Sequence, residues 1–533
     1  MSEKITNDIT EKKSFSQILH DSFKELVDTF VAFFKAPRAL WGINIPYVIE
    51  GLVYFGILTI LGKYSSENVA LSDIHAGWVY GGVTGGITFA MLIFGGVSDK
   101  IGVRNSLALA FIMMFIGRVL IALSGTVSMG SGIGSPMFIT MSLGLLIMVI
   151  AYGLYQPAAY AGVKRYTNPQ TAAIGYAVIY ALMNLGAFFS GFISPITRHK
   201  FETVFPPNGL TAVFWVYSAL TLLALVSTYV ILTKKTDAAA VARIKKETDT
   251  SKELDKKPET EVTEKSVKKE KINNRGFLIS LAFVVLSAGI ILVVQLGKLT
   301  LPYYAEYILL ILTGIISVWQ FLKVRPDHPF RDIRFVFFIF MLIPVQTLFA
   351  HNWLTLPYYL DRAFAGSIVG EYFEFFSNLN PILIFIFAPI IAAVTARANV
   401  YKMMILGTFV MAAPTFLLAL GPNTALLLTY ILLMTIGEAM WQPRFLQWIA
   451  EIAPEGKTGS YMGIGQLPWF LTKMITAAYS GYFVANYIPK PEDGLEMKTG
   501  EMWLFYAIIA ITSPIALFLA KNWMAKGMRK KAS

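Results

Sequence analysis

Long apolar runs recur along this chain from near position 41 to near position 522, and they constrain its fold more than any other feature. Each run contains about 18 to 24 residues, enough for a helix to cross roughly 30 Å of hydrocarbon. Gly, Pro, Ser and Thr interrupt the runs, which is typical of helices in lipid, whereas a membrane β-barrel needs short alternating segments. The sequence therefore predicts an all-α membrane protein with fourteen transmembrane helices.

The composition and the placement of charge support this interpretation. Of the 533 residues, 55% are hydrophobic and 15% are charged, a balance far from that of soluble domains. The net charge is +12, but the Lys and Arg residues lie in short connections and tails between the runs. The positive-inside rule places these connections and both termini in the cytoplasm. We therefore expect a multi-pass protein of the inner (plasma) membrane whose partners are the lipid bilayer and a small-molecule substrate, not nucleic acid.

The apolar runs follow a six, two, six pattern, and a segment rich in charges of both signs follows the first six. A segment of that composition cannot bury a core, so we expect a flexible or loosely helical linker. Apolar residues before the first run recur at helical spacing, which predicts an amphipathic surface helix. The predicted units are a cytoplasmic tail at 1–40, a six-helix bundle at 41–233, the linker at 234–275, an additional transmembrane hairpin at 276–325, and a six-helix bundle with a tail at 326–533.

The loop after the second run reads GGVSDKIGVR, with the pattern G-x-x-x-D-K-x-G-x-R. Its glycines permit a tight turn, and its aspartate can cap the next helix. A plain turn with charged flanks is the alternative interpretation, but the loop resembles the signature loop of the major facilitator superfamily. The resemblance implies the major facilitator fold, with two six-helix bundles in a monomer, and a cytoplasmic gate that contains Gly95, Asp99, Lys100, Gly102 and Arg104.

Four further passages resemble segments of the proton-coupled oligopeptide transporter family, namely GLYQPAAYAG, YALMNLGAFFSGFISP, FSNLNPILIFIFAPIIAAV and GEAMWQPRFLQWIAEIAP. The resemblance implies a secondary active transporter that moves di- or tripeptides, or a peptide-like compound, together with protons. It also implies that Asn184, Asn380 and Glu438 contribute to the binding site. No cofactor is expected, and the proton is the expected coupling ion.

Three positions depart from that family's pattern. The first-span pattern E-x-x-E-R aligns with residues 47–51, where only Glu50 remains. The fourth-span lysine is Gln156, and the seventh-span glutamate aligns with Ala350 or His351. Transport of a non-peptide solute, or drug efflux without this proton coupling, is therefore the main alternative. A non-transporting membrane sensor is the alternative from another class.

Four charged side chains lie deep inside apolar runs: Glu50, Arg118, Glu438 and Lys473. Glu50 is roughly 13 Å inside its span at about 1.5 Å per residue, near the midplane. A charge facing lipid there costs about 2.5 to 3.5 kcal/mol, so the side chain must face the bundle interior. The four charges are either structural ion pairs that fix helix packing or groups on the substrate path that hold the two ends of a zwitterion. In the second case they are candidates for proton coupling.

Several uncharged side chains are candidates for substrate contact. Tyr47, Glu50 and Tyr54 fall on one face of the first span at i, i+3 and i+7. For each aromatic candidate, ordinary helix packing is at least as good an explanation. The other candidates are Tyr155, Gln156, Tyr180, Gln346, Trp441 and Trp469.

The chemistry of the remaining residues does not predict an enzyme. The five histidines lack metal-ligand spacing, and there is no nucleophile paired with a base and no phosphate-binding loop. The sequence contains no cysteine, so disulfides are excluded. Of the histidines, only His351 falls in a span, from which it can face the extracellular vestibule; an interfacial role is favoured over catalysis.

Overall fold

The structure, a computed structural model, describes residues 17, 24, 37–94, 97–167, 172–254, 274–295, 305–326, 328–395, 398–452, 461, 464–465 and 467–529. Within these ranges the chain forms helices joined by short loops, and no strand occurs. The predicted all-α fold is therefore confirmed. The predicted amphipathic helix before residue 37 lies outside the described residues, apart from two isolated positions.

The first half of the molecule and the linker contain eight α-helices. They are α1 (Arg38–Lys63), α2 (Asp73–Phe94), α3 (Val97–Ile101), α4 (Val103–Thr126), α5 (Pro136–Arg165), α6 (Ala172–Phe201), α7 (Leu210–Ile231) and the linker helix α8 (Lys234–Leu254). A π-helix, Tyr64–Asn68, continues α1.

The remaining helices form the hairpin and the second half. They are α9 (Arg275–Gln295), α10 (Ala305–Lys323), α11 (Ile333–Met341), α12 (Ile343–Leu354), α13 (Leu356–Ala363), α14 (Ile368–Glu371), α15 (Phe373–Ser377), α16 (Leu379–Val394), α17 (Val400–Ala412), α18 (Thr415–Leu418), α19 (Thr424–Ile452), α20 (Leu467–Tyr487), α21 (Thr499–Leu519) and α22 (Lys521–Arg529). Two 3-10 helices, Pro329–Arg331 and Pro491–Asp493, lie in loops.

Prolines divide several spans of the second half. Proline lacks a backbone N–H and collides with the preceding helical turn, so a helix tends to end before it. α11 therefore ends at Met341 and α12 restarts with Pro344 in its first turn. Pro414 likewise separates α17 from α18. In the described part of the chain, ten helical segments are long and apolar enough to cross a membrane. The predicted total of fourteen transmembrane helices stays a prediction.

The buried apolar residues form two main clusters. One consists mainly of side chains of α1 to α7 and also contains Leu354 of α12 and Ala477 of α20. The other consists of side chains of α11 to α22. The hairpin helices α9 and α10 pack on each other through Phe277 and Phe321, whose ring centroids are 5.1 Å apart. Their outer faces expose apolar side chains such as Phe283 and Ile315, as expected of surfaces that face lipid.

The charged linker begins as a regular helix that is attached to the first half. Thr233 and Thr236 at its start each accept a hydrogen bond from the other's backbone N–H, an arrangement that caps the helix. Asp237 accepts hydrogen bonds from Arg165 at 2.9 Å and from Tyr166 at 2.6 Å. Burial alone raises the pKa of Asp237, but these bonds hold it below its ordinary value. The predicted flexible remainder, 255–273, lies outside the described residues.

Candidate functional site

A cavity of about 240 Å³ lies between the two halves. Helices α1, α2, α5 and α6 form one wall, and α12, α16, α19 and α20 form the other. Many of the side chains predicted for substrate contact meet here. Those that line the cavity are Tyr54, Gln156, Tyr180, Asn184, Gln346, Asn380, Glu438, Trp469 and Lys473.

The charged groups of the cavity wall both come from the second half. Glu438 of α19 accepts a hydrogen bond of 2.8 Å from the Asn380 amide, and the same amide donates to Thr435 at 2.9 Å. Lys473 of α20 lines the same cavity, and no hydrogen bond or ion pair of its ammonium group is found in the described part of the chain. The side chains that the first half contributes to this wall are aromatic, aliphatic or neutral and polar.

The acid and base of the first half form a buried ion pair. Arg118 donates to Glu50 through both of its terminal nitrogens, at 2.8 and 2.5 Å. Arg118 also donates to the hydroxyls of Thr221, at 2.5 Å, and Tyr152, at 2.9 Å. Only 2% of Glu50 and none of Arg118 is exposed, and neither lines the cavity. The contacts of this pair are those of a buried ion pair, and neither charge lies on the cavity wall in this conformation.

Three aromatic candidates lie behind the cavity wall rather than on it. Tyr47 and Tyr155 stack on each other with centroids 5.7 Å apart. Trp441 is fully buried, stacks on Trp469 at 6.4 Å and donates to the sulfur of Met411. Helix packing therefore explains the position of Tyr47, Tyr155 and Trp441, and substrate contact is not available to them in this conformation.

His351 does not face a vestibule, contrary to the prediction. The imidazole is fully buried and lies 2.8 Å from the Thr355 hydroxyl and 2.9 Å from that of Tyr479. It also stacks on Tyr506, with ring centroids 3.8 Å apart. The prediction was wrong because α12 turns this face toward α20 and α21, and a single polar residue in an apolar run does not reveal which neighbour it faces.

The predicted gate loop is only partly described. Gly102 adopts φ +83° immediately before α4, a left-handed conformation that glycine tolerates at little cost. Arg104 donates to the Leu232 carbonyl at 2.7 Å, where it neutralises the carboxyl end of α7. Lys100 is exposed, whereas Gly95 and the side chain of Asp99 lie outside the described residues.

Ion pairs join the two halves at the end of the molecule where α1 ends and α2 begins. We call this the closed end and define it by three pairs: Lys63–Asp361, Asp73–Arg362 and Arg198–Glu374. Arg362 donates to both carboxylate oxygens of Asp73, at 2.9 and 3.2 Å, and Arg198 reaches Glu374 at 2.8 Å. All three pairs are largely shielded from solvent.

Two neutral hydrogen bonds also join the halves, one next to the closed end and one toward the opposite end of the cavity. Asn378 donates to the hydroxyl of Thr59 at 3.1 Å, beneath the ion pairs. Toward the opposite end, Tyr180 donates to Gln442 at 3.4 Å across the cavity. The cavity is therefore covered on one side by charged pairs and on the other side by a longer and weaker polar contact.

The family follows from a comparison of the sequence with known protein families. The model of the Major Facilitator Superfamily matches residues 43–370, more than half of the chain. The chain belongs to the major facilitator superfamily. The resemblance inferred from the signature loop is thereby confirmed. The cavity and the closed-end ion pairs are accordingly features of a major facilitator protein.

Similar proteins in this superfamily carry names that denote peptide transport. Dipeptide and tripeptide permease B of Salmonella typhimurium is 21% identical, over 86% of this chain and 88% of the permease. Dipeptide and tripeptide permease A of Cronobacter turicensis is 23% identical, over 86% of both chains. The similarity inferred from the four sequence passages is thus matched by similarity along most of the chain.

Solved structures share the fold. The peptide transporter POT in complex with sulfate superposes with a TM-score of 0.63 at 17% identity, covering 92% of this chain and 96% of that chain. The POT family transporter PepTSo gives 0.63 at 16% identity, covering 92% and 99%. The predicted major facilitator fold is therefore confirmed.

Sequence reasoning missed several residues of this major facilitator site. Tyr80, Thr84, Tyr152 and Gln442 line the cavity, and each is a single polar side chain in an apolar run, a pattern equally typical of helix packing. The closed-end pairs were also missed, because their partners are far apart in the sequence. Their available signal was the presence of acids and bases at the ends of predicted spans. Among the described residues, no group of three or more His, Asp or Glu side chains could hold a metal ion.

Proposed function

We propose that the protein is a secondary active transporter that moves di- or tripeptides, or a peptide-like compound, by alternating access with proton coupling. The names of similar proteins, dipeptide and tripeptide permeases, support the substrate class. The cavity between the halves carries the proposal, because it presents an acid and a base together with neutral polar and aromatic groups. A transporter uses these groups to bind, whereas no catalytic step is required of them.

A zwitterionic peptide fits the chemistry of this cavity. Glu438, held by Asn380, can bind the amino terminus, and Lys473, which has no ion-pair partner in the described part of the chain, can bind the carboxyl terminus. A charged hydrogen bond is stronger than a neutral one, and more so in a site that excludes water. Asn184 and Gln346 offer amides to the peptide bond, and Tyr54 and Trp469 offer apolar surface to side chains.

The closed end suggests how access alternates. In the proposed cycle the bundles at 41–233 and 326–533 rock about the cavity, and the hairpin at 276–325 stays outside them. The ion pairs must then break when the closed end opens, while the gate loop brings the halves together at the opposite end. The positive-inside rule supports an inner-membrane orientation with cytoplasmic termini and an extracellular closed end. We propose that the functional unit is a monomer.

Four charges are the proposed participants in proton coupling. Glu438 and Lys473 face the cavity, whereas Glu50 and Arg118 are buried behind it. Protonation of either glutamate changes the balance of charge beside the substrate, which links proton binding to substrate binding. A second mode, transport of a non-peptide solute without protons, is favoured by the neutral wall of the first half and by Gln156 in place of the family's lysine.

Transport by the purified protein in liposomes tests the proposal. We expect a labelled di- and tripeptide mixture to accumulate under an imposed pH gradient, and a proton ionophore to prevent this. The variants Lys473→Gln and Glu438→Gln should each lose most of the uptake, whereas the exposed Lys402→Gln should not. Exchange without pH dependence supports the second mode. Absence of flux with every solute tested contradicts transport.

A further inference from the structure

Tyr152 of α5 connects the cavity with the buried ion pair behind it. Its side chain lines the cavity. Its hydroxyl donates to the Glu50 carboxylate and accepts a hydrogen bond of 2.9 Å from Arg118. Glu50 and Arg118 do not line the cavity themselves, and Tyr152 contacts the cavity as well as both members of the ion pair.

The other hydroxyl that contacts the Glu50–Arg118 pair, that of Thr221, does not connect the pair with the cavity. Thr221 of α7 accepts from Arg118 at 2.5 Å, and its own proton is donated to the Tyr217 backbone carbonyl at 2.7 Å. Thr221 is fully buried and does not line the cavity. A proton that travels between cavity water and Glu50 through the hydrogen bonds of this site therefore passes through Tyr152.

We propose that Tyr152 relays protons between the cavity and Glu50, a role that rests on the proton-coupled transport proposed above. A phenolic hydroxyl has one proton to donate and two lone pairs. In this site the proton is donated to Glu50 and one lone pair accepts from Arg118, so one lone pair remains for a further donor.

The relay conserves protons and charge. A hydronium ion in the cavity donates a proton to the free lone pair of Tyr152, and the phenolic O–H bond to the original proton breaks as that proton bonds to Glu50. Water remains in the cavity, Tyr152 is again neutral, and Glu50 has become a neutral carboxylic acid. The reverse sequence returns the proton to the cavity.

Protonation of Glu50 links this relay to the substrate. The guanidinium of Arg118 then loses its counter-ion, although it stays fully buried. An uncompensated buried charge is strongly unfavourable, so a peptide carboxylate in the cavity near Tyr152 is favoured in that state. Proton and peptide thereby support each other's binding, as reciprocal linkage requires.

In the described part of the chain, the other ionisable groups packed around Tyr152, Glu50 and Arg118 are phenols. They come from helices α1, α2, α5 and α7 and introduce no further formal charge at neutral pH. These groups are Tyr47, Tyr54, Tyr80, Tyr155 and Tyr217. Glu438 and Lys473 of the second half are the charged groups that line the same cavity as Tyr152.

The variant Tyr152→Phe removes the relay hydroxyl and keeps the ring. In liposomes we expect proton-driven dipeptide accumulation to fall by about 100-fold, the lower end of what a positioned proton-transfer group contributes. Exchange of external label for internal peptide, which requires no net proton movement, should persist. The matched control is Tyr430→Phe, which removes a buried hydroxyl that has no hydrogen-bond partner in the described part of the chain.

The outcomes separate this proposal from the proposed function. If Tyr152→Phe takes up dipeptide at the wild-type rate and with the wild-type pH profile, the relay is overturned and the proposed function is not. Absence of proton-driven uptake by the wild-type protein contradicts the proposed function and the relay with it. If Tyr152→Phe also loses exchange, the relay is tested with fluorotyrosine at position 152. This residue keeps the shape of tyrosine but has a more acidic phenol. A shifted pH profile then supports the relay, and an unchanged profile overturns it.

Discussion

At the scale of single residues, the deep charges divide into two kinds. Glu50 and Arg118 neutralise each other in packed protein, whereas Glu438 and Lys473 face a cavity. The sequence predicts that Glu50 faces the interior, since lipid exposure is too costly, and the structure confirms it. It does not predict which charges are paired, because pairing depends on how far each helix is rotated about its own axis. The same uncertainty explains why Tyr47 and Trp441 were placed on the cavity wall.

The buried pair gives a prediction for stability. Removing one member leaves the other charge buried and uncompensated, which costs about 3 to 5 kcal/mol. We expect Glu50→Gln to lower the temperature of unfolding in detergent, measured by intrinsic fluorescence. The double variant Glu50→Gln with Arg118→Met should recover most of the loss, because both charges are then absent.

The exposed Glu501→Gln is the matched control and should unfold like the wild type. If Glu50→Gln unfolds at the wild-type temperature, or if the double variant is no more stable than the single one, the ion pair does not stabilise this fold.

At the scale of helices, small residues hold the two halves together near the closed end. Gly77, Gly81 and Gly85 recur every fourth residue on one face of α2, and this face packs against α20. On α20, Gly481 lies so close to α2 that an added Cβ would be 2.6 Å from the backbone oxygen of Asp73. Small residues at such positions are typical of helix contacts in membranes. The sequence shows the spacing, but it does not show which helix lies opposite.

Gly481→Ala should therefore force α2 and α20 apart. We expect the closed end to open in a larger fraction of molecules, because the added carbon meets backbone that cannot rotate away. The chain contains no cysteine, so spin labels can be placed at Ser72→Cys and Asn486→Cys, both exposed. Pulsed electron resonance should then show a longer distance between them.

Gly289→Ala in the hairpin is the control for this experiment, since nothing lies within 4 Å of its added Cβ. That variant should leave the distance distribution unchanged. A distribution for Gly481→Ala that matches the wild type would show that close approach of α2 and α20 does not control this end of the molecule.

At the scale of the whole molecule, the all-helical architecture and the major facilitator fold were the most predictable features. The lengths of the apolar runs indicate helices, and the signature loop and family passages indicate the major facilitator fold, which the family match confirms. The closed-end ion pairs were not predicted, since each pair joins residues from different halves of the chain. Contacts of that kind depend on the conformation of the whole molecule and leave no local pattern.

The most direct test of the proposed transport path is whether the cavity can be reached from each side of the membrane and is occupied by the substrate. Ala350→Cys places a single thiol on the cavity wall of the otherwise cysteine-free chain. We predict that a membrane-impermeant maleimide labels it from either side of oriented vesicles, and that dipeptide slows labelling from both sides. Labelling from neither side, or labelling that dipeptide leaves unchanged, would contradict the claim that this cavity is the transport path.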